Sequence, residues 1–431
     1  MNAAPTAPDR SYRALLTVPY LPRILVSMQL ARIGQSMVAV TIVLFTLRLY
    51  GSPAITGVVT LASILPGLLV SPIAGALLDR HGRIRLVQLD YVVAMSALAL
   101  IAILAIAGAL PPLLLIAIAA VSSLTGILGA TGLRSLFPMI VPEPLWERVN
   151  AVDSNGYVVA TIIGPPLAAS LVTIVGGPAT LLGTAVAFGI AAAVMTGIPD
   201  PPAEIDSSGS ILRDALDGLR YAVRNRTIRG LAVSISSLNL AGGIATIVIP
   251  LIVIDRLGYS EAMVGVVFAL SGVAGMGSAF AFGRVDTRGR EWRLLVVPML
   301  AVPPAVALLL PPAVVDGLDP AVGLAFLAGW ALIVGFANGP LDIALFTIRQ
   351  RRTDPAWTGR AFAVSMAMNF AGFPIGAAIA GSLASISLGA AIVPAILACI
   401  AAIVFAAVLV PREDVEPGTA AAAAGAGVPE S

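Results

Sequence analysis

Long apolar stretches separated by short polar loops constrain this chain more than any other feature. A helix needs ~20 apolar residues to cross the ~30 Å hydrocarbon layer of a bilayer, and each stretch reaches that length. We therefore predict an all-α membrane protein with 12 transmembrane helices, spans 1 to 12. In chain order they are expected at about residues 22–48, 54–78, 84–108, 112–137, 150–174, 178–198, 228–254, 261–283, 292–312, 320–346, 360–385 and 388–411.

The composition agrees with burial in lipid. Of the 431 residues, 58% are hydrophobic and 11% are charged, and the mean hydropathy is +0.98. A soluble domain carries about 25% charged residues. The opening segment MNAAPTAPDRSYRALLTVPY is polar and lacks the short apolar core and cleavage site of a signal peptide. We expect a protein integral to the cytoplasmic membrane.

The chain is poor in the side chains that catalysis uses. All 25 basic residues are arginine, and there is one histidine, His81, and one cysteine, Cys399. A Walker A ATPase needs a lysine and an HExxH zinc site needs two histidines. We therefore expect no enzyme activity, no metal, no cofactor and no nucleic-acid partner. Movement of a small-molecule substrate across the lipid bilayer is the natural alternative.

Arginine is concentrated in alternate loops. It lies near the N-terminus and after spans 2, 4, 6, 8, 10 and 12, whereas intervening loops such as GALPP and VGGPA have none. The positive-inside rule then places both termini in the cytoplasm, which requires an even number of spans. Arg48 and Arg256 are the exceptions. The two ends of the spans are called here the arginine-rich end, predicted to be cytoplasmic, and the arginine-poor end.

The largest polar interruption lies in the middle of the chain. Residues 199–210, PDPPAEIDSSGS, are typical of an extended linker, and residues 211–226 have apolar side chains near helical spacing. This spacing favours an amphipathic helix on the lipid headgroups, with a solvated linker helix as the alternative. The expected organisation is a cytoplasmic N-terminus (1–21), a six-helix bundle (22–198), a central loop (199–227), a second six-helix bundle (228–411) and a disordered tail (412–431).

Residues 48–83 and 256–290 form an internal repeat. Both segments begin with Arg-Leu, carry Gly-Val-Val nine residues later and end in Asp-x-x-Gly-Arg. A repeat at about half the chain length predicts two six-helix halves with the same orientation. Such halves are related by a pseudo-twofold axis along the membrane normal.

The segment GALLDRHGR (75–83) resembles a loop signature of the major facilitator superfamily, Gly-x-x-x-Asp-Arg-x-Gly-Arg. The resemblance extends to the number of spans, the repeat and the central loop, and implies the two-bundle fold of that family, a transporter and a monomer. Residues 133–154 and the amphipathic helix resemble its bacterial siderophore- and macrolide-efflux branch. The first copy of the signature has Gly75, Asp79, Arg80, Gly82 and Arg83, and the weaker second copy has Gly283, Asp286, Gly289 and Arg290.

The residues of the first copy have physical uses of their own. Gly75 lets span 2 approach a neighbour closely, which by resemblance is span 11, and Gly82 permits a tight turn. Asp79 can meet the positive N-terminus of a neighbouring helix, and Arg83 can pair with a carboxylate. The resemblance implies a latch that closes the cytoplasmic gate. Arginines that only fix the topology are the alternative.

Span 5 carries a Gly-Pro pair, Gly164 and Pro165, in the stretch TIIGPPLAASL. This pair resembles the Gly-Pro motif of exporters in the same family, although Ala168 and Ala169 stand where that motif prefers glycine. A Gly-Pro pair bends a membrane helix and frees backbone groups. It predicts either a gate biased toward export or the simple packing of a bent helix.

Polar side chains at depth in a membrane are costly and indicate functional sites. By resemblance, spans 1, 4, 7 and 10 line the central cavity. An ion pair inside the bundle and a substrate anion are both open as partners of Arg32. The candidates for substrate contact are Gln29, Arg32, Gln35, Asn239 and Asn338, and those for proton coupling or an ion pair are Asp90, Asp153 and Asp342.

Together these features predict a secondary active transporter that works by alternating access. Mostly apolar walls suit the export of a small amphipathic or hydrophobic solute. A metabolite importer or uniporter is the alternative, and a lipid-handling or receptor-like membrane protein without solute turnover is the alternative from another class. Proton coupling stays open, because span 4 lacks the mid-helix arginine of the family's drug/proton antiporters and Arg134 lies too near its end.

Overall fold

The computed structural model describes residues 11–200, 219–221, 223–282, 289–352 and 358–412. Within these residues, 12 spans are long and apolar enough to cross a membrane, which confirms the predicted fold class. Their helices are Leu21–Tyr50 (span 1), Pro53–Ala62 and Leu65–His81 (2), Arg83–Ile106 (3), Pro112–Ile140 (4), Trp146–Val175 (5), Gly177–Met195 (6), Arg226–Leu251 continued by the π-helix Ile252–Arg256 (7), Glu261–Phe282 (8), Glu291–Met299, Val302–Ala307 and Leu310–Val314 (9), Pro320–Arg351 (10), Thr358–Ala384 (11) and Leu388–Leu409 (12).

Proline interrupts two stretches that the sequence analysis treated as single helices. Span 2 breaks between Ala62 and Leu65, and Pro66 lies in the first turn of the segment that follows. Span 9 consists of three short helices, the later two of which have proline in the first turn. Proline has no backbone N–H and its ring clashes with the preceding turn, so it begins helices and interrupts longer ones.

A short helix, Tyr12–Thr17, precedes span 1 within the segment predicted to be the cytoplasmic N-terminus. The Ser11 hydroxyl accepts a hydrogen bond from the Ala14 N–H at its start, and Leu15 is buried. The helix packs against spans 1 and 5. The predicted domain boundaries stay predictions. Residues 211–218 and 222 of the amphipathic segment lie outside the described residues.

Each half of the chain forms a six-helix bundle. Spans 1, 5 and 6 pack together in the first half, as spans 7, 11 and 12 do in the second. The bundles meet where span 2 packs against span 11 and span 5 against span 8. Small residues allow the close approach: a Cβ added to Gly57 of span 2 would lie 3.1 Å from the Cα of Gly381 in span 11.

Candidate functional site

A cavity of about 670 Å³ lies between the two bundles, lined by residues of spans 1, 5, 7, 8, 10 and 11. It runs from Pro250 and Val264, near the arginine-poor ends of spans 7 and 8, to Asp342 in the arginine-rich half of span 10. Two smaller cavities share lining residues with it, including Ser36 and Ala39. One, of about 250 Å³, is lined by the first bundle alone, and the other, of about 290 Å³, is also lined by Thr246 and Phe373 of the second bundle.

Apolar and aromatic side chains form most of the wall of the central cavity. Phe268 and Trp330 meet edge to face with ring centroids 6.4 Å apart, and Phe373 of span 11 lies on the same wall. Aromatic rings offer large apolar faces at little entropic cost, while a small number of polar groups orients a ligand. The wall therefore favours a solute with a substantial apolar surface.

Arg32 lies at the centre of a polar cluster that joins spans 1 and 5. It forms an ion pair with Asp153, in which both side chains are nearly buried, and its Nη1 donates to the Asp153 carbonyl oxygen at 2.8 Å. The guanidinium also stacks 4.0 Å from the ring centroid of Tyr157. Gln29 donates to the Gly156 carbonyl oxygen at 3.2 Å. Of the partners left open by the sequence, the structure places Asp153 at Arg32.

Asp90 of span 3 is buried and lines the same cavity of about 250 Å³ as Arg32. Its carboxylate packs against Gly129 of span 4, where an added Cβ would collide with it. Together with Gln35 it lines both small cavities. Asp90 is thus a carboxylate in the wall of two mostly apolar cavities, and its part in proton coupling stays a prediction.

The three polar candidates of the second half occupy different places. Asn239 of span 7 donates to the Asn369 carbonyl oxygen of span 11 at 2.9 Å, so it ties two helices together. Asn338 and Asp342 are exposed in the wall of the central cavity. Asp342 forms neither a hydrogen bond nor an ion pair with any residue that the structure describes. Contact of these two side chains with a solute stays a prediction.

Gly164 and Pro165 lie inside the single helix of span 5. A Cβ added to Gly164 would collide with the Ser36 side chain, so glycine lets spans 1 and 5 touch. Pro165 lines the central cavity, and its carbonyl oxygen lies 3.1 Å from where a Cβ on Gly265 of span 8 would be. The pair is thus at a junction of both bundles, and its role as an export gate stays a prediction.

In the first signature loop, Gly82 has a φ of 92°, a conformation that favours glycine. A side chain there would collide with the Asp200 carboxylate, which accepts a hydrogen bond from the Ile84 N–H at 2.5 Å. Asp200 therefore caps the N-terminus of span 3, where a negative charge is favourable. The sequence analysis missed this residue, which follows span 6.

The other signature residues are described only in part. Arg83 contacts the Met139 sulfur of span 4 at 2.8 Å, while Gly75, Asp79 and Arg80 lie in the second helix of span 2 with side chains outside the described set. In the second copy, Gly289 has a φ of 71° and Arg290 precedes span 9. The remaining two residues, Gly283 and Asp286, lie outside the described ranges. The latch stays a prediction.

An ion pair joins the two bundles at the arginine-poor end. The Nε of Arg48, at the end of span 1, lies 2.9 Å from Oε1 of Glu261, which begins span 8. Thr173 of span 5 donates to the other carboxylate oxygen at 3.3 Å. Sequence reasoning overlooked this contact, although Arg48 had broken the positive-inside pattern, and that exception was the signal for it.

Arg349 of span 10 is another residue that the sequence analysis missed as a candidate. It is 1% exposed and lies 5.7 Å from the ring centroid of Phe346. With the Asn369 amide oriented to satisfy its neighbours, the amide oxygen accepts from Arg349 at 2.6 Å. Since Asn369 also accepts from Asn239, the contacts connect spans 7, 10 and 11.

This arrangement of two bundles around a cavity agrees with comparisons of the chain with known proteins. A sequence profile of the Major Facilitator Superfamily matches residues 24–364. The chain belongs to the major facilitator superfamily. It is 35% identical to an uncharacterized MFS-type transporter, y4rN, of Sinorhizobium fredii, over 86% of this chain and 90% of that one. It is therefore an MFS transporter and not an enzyme.

More distant relatives and solved structures extend the comparison. The multidrug efflux pump Tap of Mycobacterium tuberculosis is 24% identical over 83% of this chain and 85% of its own. A mutant of the nucleoside transporter NupG has a TM-score of 0.72 at 13% identity, covering 91% of this chain and 99% of that one. A bacterial homolog of the lysosomal transporter Spinster has a TM-score of 0.65 at 15% identity, covering 94% and 96%. Both structures show the same fold.

Proposed function

We propose that this MFS transporter is a secondary active exporter of small amphipathic solutes that carry a positive charge. The observation that carries the proposal is the central cavity, in which an apolar and aromatic wall surrounds one carboxylate, Asp342, that is free of described protein partners. An apolar pocket with few polar groups binds solutes through their apolar surface and orients them through those groups.

The charge of the cavity wall favours a cation. The positive charge of Arg32 is neutralised by Asp153 within the first bundle. The Asp342 carboxylate, in contrast, is exposed in the cavity wall. A cationic group stacks favourably on aromatic rings, and Phe268 and Phe373 are partly exposed in the cavity wall. An anionic solute would meet an unpaired carboxylate in a region of low dielectric, which is unfavourable.

The direction and energy source of transport belong to the same proposal. Export is supported by the similarity to pumps described as multidrug efflux pumps and by the Gly-Pro pair of span 5, which lies where both bundles meet. We propose a proton as the coupling ion, with Asp90 and Asp342 as the carboxylates that bind it, since neither forms an ion pair within the described chain.

Dye accumulation tests the proposal in bacterial cells that lack their own efflux systems. Cells that express the protein should accumulate less of a lipophilic cationic dye, and a protonophore should remove the difference. A neutral dye of similar size serves as the control and should be exported less. Equal accumulation of the cationic dye with and without the protein contradicts export, and accumulation raised by the protein would show import instead.

A further inference from the structure

A second and larger cavity, of about 980 Å³, lies outside the central one between spans 8, 9 and 10. We call it the lateral groove; its wall includes Gly277 and Ser278 of span 8, Val297 of span 9 and Phe336 of span 10. None of its lining residues lines the central cavity. Spans 8 and 10 therefore present one face to each space, and the lateral groove is no part of the solute site proposed above.

The wall of the lateral groove is apolar and faces away from the bundle interior. Val297 is 56% exposed, Phe336 53% and Leu332 47%, and all three lie within spans that cross the membrane. Apolar side chains exposed at this depth meet lipid rather than water. The groove is thus open to the hydrocarbon of the bilayer.

The groove is built into the fold by small residues and by contacts behind its wall. A Cβ added to Gly277 would have no neighbour within 4 Å, so the absence of a side chain there leaves open space. Ser278 donates to the Phe336 carbonyl oxygen at 2.5 Å, and Phe282 meets Phe336 with ring centroids 5.9 Å apart. These contacts fix spans 8 and 10 to each other, and span 9 packs against span 10 on the other side of the groove.

Two arginines lie at the rim of the groove, at the arginine-rich end. Arg290 and Arg293 line it and are exposed, and within the described chain neither side chain forms a hydrogen bond or an ion pair. The neighbouring carboxylate of Glu291 is buried and pairs with Arg351 instead. The rim therefore presents two positive charges that no described carboxylate neutralises.

We propose that the lateral groove binds one anionic phospholipid from the leaflet at the arginine-rich end. The lipid phosphate lies between Arg290 and Arg293, which match a phosphate in charge and in hydrogen-bond geometry, and an acyl chain lies along Val297 and Phe336. Basic groups at the membrane surface attract anionic headgroups, and pockets between spans at the cytoplasmic side bind them specifically. The groove combines both features.

Native mass spectrometry of the full-length protein in detergent tests the charged part of the proposal. We expect palmitoyl-oleoyl phosphatidylglycerol to occupy one site before phosphatidylcholine does. The variant Arg290→Gln/Arg293→Gln should weaken that site about fivefold for each arginine removed. Arg13→Gln/Arg229→Gln removes the same charge from exposed positions outside the groove and outside the amphipathic segment and should leave the site intact. Equal binding of both lipids, or equal loss in both variants, overturns the proposal.

A second pair of variants tests the groove itself with both arginines in place. Gly277→Leu fills the open space and should abolish the single tight phosphatidylglycerol site. Gly183→Leu, at an exposed glycine of span 6 that also has no neighbour within 4 Å of an added Cβ, should retain it. Retained lipid binding in Gly277→Leu contradicts the proposal, and if transport falls in that variant the groove belongs to the solute path.

Discussion

In the first half of the chain, Arg32 and Asp153 neutralise each other within one bundle, whereas in the second half Asp342 faces the central cavity without a described partner. The two halves share a fold and an internal sequence repeat, yet the charged side chains within their membrane spans have different surroundings. A buried ion pair mainly holds helices in register, while an unpaired carboxylate in a cavity can bind a solute or a proton. We therefore expect the Arg32–Asp153 pair to act on stability and Asp342 to act on solute binding.

The largest expected effect breaks the ion pair. Arg32→Gln leaves the Asp153 carboxylate buried without its arginine, and we expect the free energy of unfolding to fall by about 3–5 kcal/mol. Thermal unfolding of the purified protein measures the loss. In Arg32→Gln/Asp153→Asn no charge is left, so most of the stability should return. If Arg32→Gln instead unfolds normally and loses solute binding, the first half also binds, and the comparison fails.

The next variant tests the second half. Asp342→Asn should lower export of a cationic dye about 10- to 100-fold, since a hydrogen bond to a charged group contributes about 1.5–3 kcal/mol, and should leave thermal unfolding unchanged. The matched control is Asp316→Asn, at an exposed loop carboxylate that pairs with Arg256, and it should export normally. Equal export by the Asp342 variant and the control would remove Asp342 from the site.

The paired signature loops sharpen the comparison at the arginine-rich end. A Cβ added to Gly82 would collide with the Asp200 carboxylate, while a Cβ added to Gly289 would have no neighbour within 4 Å. Gly82→Ala should therefore lower the free energy of unfolding by about 1–3 kcal/mol through backbone strain and displacement of Asp200. Gly289→Ala introduces backbone strain but displaces no neighbour, so it should lower the free energy of unfolding by less. Equal losses in thermal unfolding would show that Asp200 makes no difference.

The smallest expected effect concerns the contact that joins the halves. Arg48 is 58% exposed in its pair with Glu261, so the pair contributes about 0.2–1 kcal/mol. Glu261→Gln should favour opening of the arginine-poor end by up to about fivefold. In a Cys399→Ala background, Ser271→Cys in the cavity wall should react faster with an impermeant thiol reagent added from that side. Arg48→Gln should raise the reaction rate of the same cysteine by a similar factor. Unchanged reaction rates in both variants would show that the Arg48–Glu261 pair is not a gate at the arginine-poor end.

The membrane spans could be predicted from the sequence because hydropathy is a local property. The 12 spans and the two halves depend on apolar length, on arginine in alternate loops and on the repeat. Proline at 66, 303 and 311 moved helix boundaries without removing a span. The chemistry of the exposed cavity residues Asn338 and Asp342 was also visible as polar positions inside an apolar helix.

Partners across the fold could not be predicted, and the reason is physical. The spans are apolar on most faces, so no polar stripe defines which side of each helix faces inward. The sequence therefore left Arg32 with several partners, and it gave no sign that Asp200 caps span 3 or that Arg349 meets Asn369. These contacts depend on helix rotation, which is settled only when the spans pack together.

The ion pair of Arg48 and Glu261 also has a consequence for biosynthesis. Glu261 is made about 200 residues after Arg48, and at ~5–20 residues per second the interval is about 10–40 seconds. During that time the first half enters the membrane with Arg48 unpaired by Glu261. The two halves can join at the arginine-poor end only once span 8 has emerged, so the order of synthesis delays closure until both bundles exist.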